Sequence, residues 1–260
     1  MHIRRRLDYV RRLLITGVCF AGFSAGSGVL VFVLFPLLWM LPGGAAARQR
    51  RARWLIHKAF GLMVGVLRLG GVMTLDLSGV EFLRTGRNTL ILANHPTLLD
   101  VVALLAIIPD ATCVVKSALW RRPFVGGVVR AAGYICNDAP ESFIEASAHA
   151  LLAGGTLVIF PEGTRSRPGT PFHFQRGAAY VALRSHPEIV PVVISCDPPT
   201  LTKEHKWFQI PERAFCLTLA VKRARPLSAW IDPDTAPSPA SARRLTRSLE
   251  NYFTQELCQS

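Results

Sequence analysis

From Ile15 to Leu41 the chain runs through 27 consecutive positions without an Asp, Glu, Lys, Arg or His. A bilayer core takes about 20 apolar residues, so this run can span or insert deeply. Apolar regions of cleaved signal peptides run only about 7–15 residues. Ala45-Ala46-Ala47 offers a small-residue cleavage site, yet the length reads as an uncleaved membrane anchor over residues 1–45. Residues 1–58 hold ten Lys and Arg against a single acid, Asp8, and so carry +9 of the chain's +13. Five of those bases precede the run and five follow it, which cancels any positive-inside bias. A full span and a re-entrant segment are both open, and Pro36 with the glycines at 17, 22, 26 and 28 permits a bend. Such bases suit anionic lipid head groups, each worth about 1 kcal/mol near the surface. No zinc-finger spacing or RNA-binding signature accompanies them, which argues against a nucleic-acid partner.

The length of the remainder, residues 46–260, suits one large domain. Residues 46–70 have helical periodicity, with Leu55, Ala59, Phe60, Leu62, Met63, Val66 and Leu67 as the apolar face and Gly70-Gly71 as the stop. Such a helix rests on a membrane interface or packs on the domain. Beyond it, strand-like runs at 72–78, 89–93, 112–116, 133–136, 156–160, 189–195 and 215–222 alternate with helices. The helices are predicted at 98–108, 123–131, 141–153, 175–184 and 240–257. Asp138 with Glu141 predicts a cap for the 141–153 helix, and Gly154-Gly155 ends it. The runs at 156–160 and 189–194 are almost continuously apolar, as in a sheet covered on both sides. The predicted fold is therefore α/β: a mostly parallel central sheet covered by helices, preceded by the anchor and a basic amphipathic helix. Residues 198–211 form a Pro-rich excursion and 232–240 a linker. Six scattered cysteines without a Cys-x-x-Cys pair give no disulfide framework and no metal site, and suit a reducing compartment.

Two polar clusters interrupt the apolar pattern where strands end. Asn94-His95-Pro96-Thr97 follows the run Leu90–Ala93, and Asp100 lies one turn into the next helix. A histidine leaning over that turn can pair one ring nitrogen with the carboxylate and keep the other as a base. A buried histidine satisfied by its neighbour has the same spacing. The second cluster, Phe160-Pro161-Glu162-Gly163-Thr164-Arg165-Ser166, puts an acid, hydroxyls and a guanidinium at one strand end. Arginine there suits bidentate grip on a phosphate. Ligands of open α/β sheets bind at such strand ends.

Taken together, Asn94-His95-x4-Asp100 and FPEGTRS at 160–166 resemble the PlsC-like glycerolipid acyltransferases, typified by 1-acylglycerol-3-phosphate acyltransferase. Val114–Leu119 with Pro123–Gly126, Gly133-Tyr134-Ile135, Phe174–Ala179 and Val190-Pro191-Val192-Val193-Ile194 extend the resemblance over roughly residues 72–225. It implies that His95 is the general base for an acceptor hydroxyl and that Asp100 orients it. It implies donors to the thioester oxygen from backbone N–H groups at the helix start and from Lys116. It also implies substrate contacts from Asn94, Lys116, Glu162, Gly163, Thr164, Arg165 and Pro191, with Arg165 on a phosphate. The co-substrate is acyl-CoA or acyl-carrier protein, with no metal and no other cofactor, and the remaining partners are membrane lipids. The setting implied is the inner (cytoplasmic) membrane, with the catalytic domain facing the cytoplasm.

One departure stands out. The family's second motif often ends in arginine, where this chain has Asn137-Asp138. That leaves open an acceptor without a phosphate, or a non-catalytic membrane lipid-binding homologue. A serine hydrolase is suggested only by Gly22-Phe23-Ser24-Ala25-Gly26, and that motif falls inside the apolar run, where small residues favour helix packing.

Overall fold

The apolar runs beyond residue 72 resolve into one sheet. The structure is a computed structural model and describes residues 2–83, 88–167, 169–232 and 235–258. Eight strands are β1 (Met73–Ser78), β2 (Thr89–Ala93), β3 (Ala111–Val115), β4 (Ile135–Cys136), β5 (Thr156–Ile159), β6 (Glu188–Asp197), β7 (Phe215–Val221) and β8 (Arg225–Pro226). They lie in the order β1-β7-β6-β2-β5-β3-β4, with β8 beside β6. The block from β6 to β4 is parallel, and β7 and β8 run antiparallel to β6. Central β2 is buried at all five positions, as a strand covered on both faces must be.

Nine α-helical segments surround the sheet among the described residues: α1 (His2–Val29), α2 (Phe35–Trp39), α3 (Ala45–Leu69), α4 (Asp100–Ile107), α5 (Ser117–Trp120), α6 (Val125–Ala131), α7 (Pro140–Leu152), α8 (Gly177–Ser185) and α9 (Pro239–Cys258). One core lies between the sheet and α3, α4 and α6, and a second between the sheet and α7, α8 and α9. Pro233 and Asp234 of the predicted linker lie outside the described residues. Helix α7 is capped differently from the prediction. Pro140 opens it after Ala139, without a side-chain cap, because Asp138 is taken by an ion pair with Arg121 at 3.0 Å.

The apolar run is helical. Helices α1 and α2 are joined by a π-helical turn, Leu30–Leu34, just ahead of Pro36. Proline cannot donate to the carbonyl four positions back, and the wider turn accommodates that loss. Residues Ile3–Trp39 form one helix long and apolar enough to cross a membrane. Its polarity is inside out. Arg12, Thr16 and Ser27 are buried against the domain, while Leu14, Val18, Phe32 and Leu37 are each more than half exposed. Thr16 and Ser27 donate to the carbonyls of Arg12 and Phe23, so neither hydroxyl is left orphaned. Close approach to the domain needs small residues: a Cβ on Gly127 of α6 would sit 2.8 Å from Val31, and one on Gly70 would sit 2.6 Å from Ile15.

Helix α3 both packs on the domain and carries an outward apolar stripe. Ala52, Ile56, Val64 and Leu67 are buried, whereas Leu62 and Val66, expected on the same face, point outward with Trp54. With apolar residues all round, periodicity could not choose between the two faces. Arg51 closes the turn from α2 by donating to the carbonyls of Leu38, Leu41 and Pro42, the exposed end of the preceding helix.

Candidate active site

Strand β2 lies between β6 and β5, so the residues that leave its carboxyl end meet the loops of both neighbours. Asn94 is the first of them. Its side-chain amide donates to the carbonyl of Ile194 at 2.8 Å and accepts from the Ile194 N–H at 2.7 Å. This continues the β2–β6 ladder by one step with a side chain in place of a peptide. Asn94 is buried and both ends of its amide are taken, so it fixes where His95 begins instead of facing a substrate.

His95 then turns over the start of α4. Its Nδ1 lies 2.9 Å from Asp100 Oδ2, and the same oxygen accepts the Thr97 N–H at 2.8 Å. An ionised Asp100 makes Nδ1 the protonated nitrogen and leaves Nε2 with a lone pair. Asp100 is fully buried, and burial pushes its carboxyl up to about 6 against the opposing pull of His95. The Phe160 ring lies 4.6 Å from the imidazole, centroid to centroid, and limits its swing.

The loop after β5 holds His95 from the other side. Glu162 Oε1 accepts the His95 N–H at 3.0 Å and the Ser166 hydroxyl at 2.6 Å, and the Ser166 N–H donates to the His95 carbonyl at 2.7 Å. Burial raises the Glu162 carboxyl, and those hydrogen bonds oppose the rise. Gly163 adopts φ +65°, a left-handed turn that needs glycine for its backbone and not for space. Ser166 is thus a positioning residue of the site, and its place in the same loop four positions after Glu162 is the sequence signal for it.

Arg165 Nη1 donates to the carbonyls of Leu201 and Thr202, both at 2.7 Å, so the guanidinium ties the β5 loop to the excursion after β6. Lys116 leaves the end of β3. Burial, then the like charges of Lys203 and Arg165, hold its ammonium below the usual range. Among the described residues, none of Lys116, Arg165 and Lys203 has a carboxylate within 4.0 Å. The site thus joins a base, a carboxylate that orients it and a cluster of uncompensated cations.

Two expected substrate contacts, Asn94 with its amide spent on Ile194 and Pro191, are not at the rim of the site. Pro191 lies buried within β6, paired with Leu92, inside the sheet and away from its rim. Just ahead of α4, the Thr97 N–H donates to Asp100 and the Leu98 N–H to the Leu201 carbonyl at 3.2 Å. Those two N–H groups are therefore not available to a thioester oxygen, which leaves that role to the first turn of α4 itself. Ser24 of the G-x-S-x-G run lies in α1 and donates to the Phe20 carbonyl, apart from any histidine–carboxylate pair.

Comparison with known proteins agrees with this geometry. Residues 74–195 match the Acyltransferase family model, a range that contains both His95 and the 160–166 loop. Over that range the chain is similar to members of this family. It is 31% identical over 157 residues to the 1-acyl-sn-glycerol-3-phosphate acyltransferase of Cocos nucifera, covering 57% of this chain and 49% of that protein. It is 36% identical over 130 residues to the enzyme of the same name from Helicobacter pylori, covering 46% of this chain and 55% of that protein. The chain thus spans about half the length of the curated relatives it matches. The crystal structure of the 1-acyl-sn-glycerophosphate (LPA) acyltransferase PlsC from Thermotoga maritima shares the fold. It superposes with a TM-score of 0.65 at 20% identity, over 97% of this chain and 98% of that one.

Proposed function

We propose that this protein is a membrane-associated O-acyltransferase that moves a fatty acyl group from a thioester donor, acyl-CoA or acyl-carrier protein, to the hydroxyl of a 1-acylglycerol-3-phosphate-type acceptor. The observation that carries this reading is the His95–Asp100 pair, on loops whose neighbours bring together three cations that no carboxylate neutralises among the described residues. His95 Nε2 takes the proton of the acceptor hydroxyl as its oxygen attacks the thioester carbon. The tetrahedral intermediate expels the donor thiolate, which recovers the proton from the imidazolium. Asp100 stabilises that imidazolium. With the Thr97 and Leu98 N–H groups engaged, the field of the cationic rim balances the developing negative charge. Arg165, whose Nη1 is already committed to backbone, offers its remaining N–H groups to the acceptor phosphate beside Lys116. The outward apolar stripes of α1 and α3 sit in or on the bilayer, so the acceptor's chain need not leave the lipid, and the site faces the cytoplasm, where the donors are.

The test is an acyl-transfer assay on the full chain in vesicles, with both donor types and acceptors with and without a phosphate. We expect the phosphate monoester to be favoured and His95→Ala to lose roughly 10²–10⁴-fold in kcat. Activity should fall below about pH 6 as Asp100 takes a proton. Because that carboxyl binds its proton more tightly folded than unfolded, its contribution to stability should change the opposite way, declining as pH rises from 3.8 to about 6. Transfer to no lipid hydroxyl, or near-normal turnover in the His95 variant, would overturn the proposal.

A further inference from the structure

We infer that Lys203 is a third ligand of the acceptor phosphate, carried to the site by a backbone loop that Arg165 locks in place. This rests on the acyltransferase reading above and assigns a residue that neither polar sequence cluster contains.

The loop that bears Lys203 is irregular, yet its root is among the most constrained backbone in the protein. Thr200, Leu201 and Thr202 are all buried. Leu201 holds φ +50°, a conformation that costs a non-glycine residue on the order of 1 kcal/mol and persists only when its surroundings fix it. The fixing groups are visible. The Leu201 carbonyl accepts from the Leu98 N–H and from Arg165, and the Thr202 carbonyl accepts from the same Arg165 nitrogen. The His95 loop, the β5 loop and the excursion are thereby joined at one point. The next residue, Lys203, is exposed beside it.

Charge points the same way. Lys203 and Arg165 are both near enough to Lys116 to make its ammonium easier to deprotonate. Three cations from three separate loops thus crowd one edge of the site. Glu204, the adjacent acid, leans towards Arg167 at 4.0 Å. Like charges held together cost stability unless a ligand relieves them, and a phosphate monoester carries up to two negative charges to do so. The end of β4 supplies no cation here: Asn137 accepts the Ser117 N–H, and Asp138 is paired with Arg121. Lys203 makes up that positive charge from the other side of the site.

The experiment compares Lys203→Ala, Lys203→Glu and Lys203→Arg in the full chain in vesicles. It measures KM for 1-acylglycerol-3-phosphate, KM for the donor, and inhibition by inorganic phosphate. Loss of one charge-assisted contact should raise the acceptor KM about ten-fold in the alanine variant, and further with glutamate. Arginine should restore it to within about three-fold, while donor KM stays constant. Inhibition by inorganic phosphate should weaken in parallel. If Lys203→Ala changes neither constant while Arg165→Ala changes both, Lys203 is a bystander and the acyltransferase reading stands. If the wild-type chain prefers a phosphate-free acceptor and ignores inorganic phosphate, both readings fall.

Discussion

Two arginines grip the two ends of the same segment, and they do so in the same way. At the near end Arg165 donates to the carbonyls of Leu201 and Thr202; at the far end Arg12 of α1 donates to those of Pro211 and Glu212, at 2.8 and 2.5 Å. Their surroundings differ. Arg12 is 1% exposed and is neutralised by Asp8 at 2.9 Å. Arg165 is half-buried, has no carboxylate partner among the described residues, and stands beside two lysines. A buried charge needs a counter-charge and filled hydrogen bonds, which makes Arg12 a fastener between the N-terminal helix and the domain. A cation left with unfilled donors and like-charged neighbours is arranged for something that arrives later. On the function proposed above, the contrast separates an arginine spent on the fold from one left for a ligand, without appeal to motif.

The contrast is broken most directly at the fastener. Arg12→Ala leaves two carbonyls and Asp8 without their partner, which should cost about 2–4 kcal/mol. Thermal unfolding in detergent micelles should record it, together with a change in the emission of Trp207, whose ring packs 3.4 Å from where a Cβ of Gly17 would lie and 6.0 Å from the Phe20 ring. An unchanged melting temperature would mean that the helix is held by its apolar contacts alone. Arg165→Ala should do the reverse. Acceptor KM should rise about 10–100-fold with little change in donor KM, as expected for one or two charge-assisted bonds to a phosphate. A loss of stability as large as that of Arg12→Ala, with KM unmoved, would make Arg165 a second fastener.

Much of the frame was legible because it is written in local pattern. The strands at 156–159 and 188–197 are runs of apolar residues between turn signals, and the parallel order followed from their alternation with helices. The His95–Asp100 contact was legible because both residues belong to one strand end, whereas Glu162 was read as a substrate contact and holds the His95 N–H and the Ser166 hydroxyl instead. The fastener was not legible. Arg12 meets Pro211 and Glu212 about 200 positions away, and it meets backbone carbonyls, which every residue has and no sequence marks. Lys203 was obscured for the same reason, since it is placed by the carbonyls before it. Asn94 entered as a substrate contact through the resemblance; nothing in the sequence says that its amide imitates a peptide. Pro191 was carried in by its motif, although a proline within a strand contributes shape to the sheet more often than contacts at its rim.

The smallest effect tests which part of the Arg12 arrangement matters. Asp8 is 45% exposed at its side chain, lies one helical turn before Arg12, and pairs with Arg11 as well, at 2.6 Å. Water already solvates much of that carboxylate, so removing its charge should cost only about 0.5–1 kcal/mol. Asp8→Asn keeps the shape and removes the charge. For a chain of this size the melting temperature should drop by about 2 °C, with kcat and both KM values unchanged. Raising the salt concentration should narrow the gap between wild type and variant, because screening removes what the mutation removes. The two bonds from Arg12 to the backbone would then carry most of the fastening. If Asp8→Asn instead destabilises as strongly as Arg12→Ala, neutralisation of the buried guanidinium is what holds the junction. The resemblance between the two clamps would then be one of geometry only.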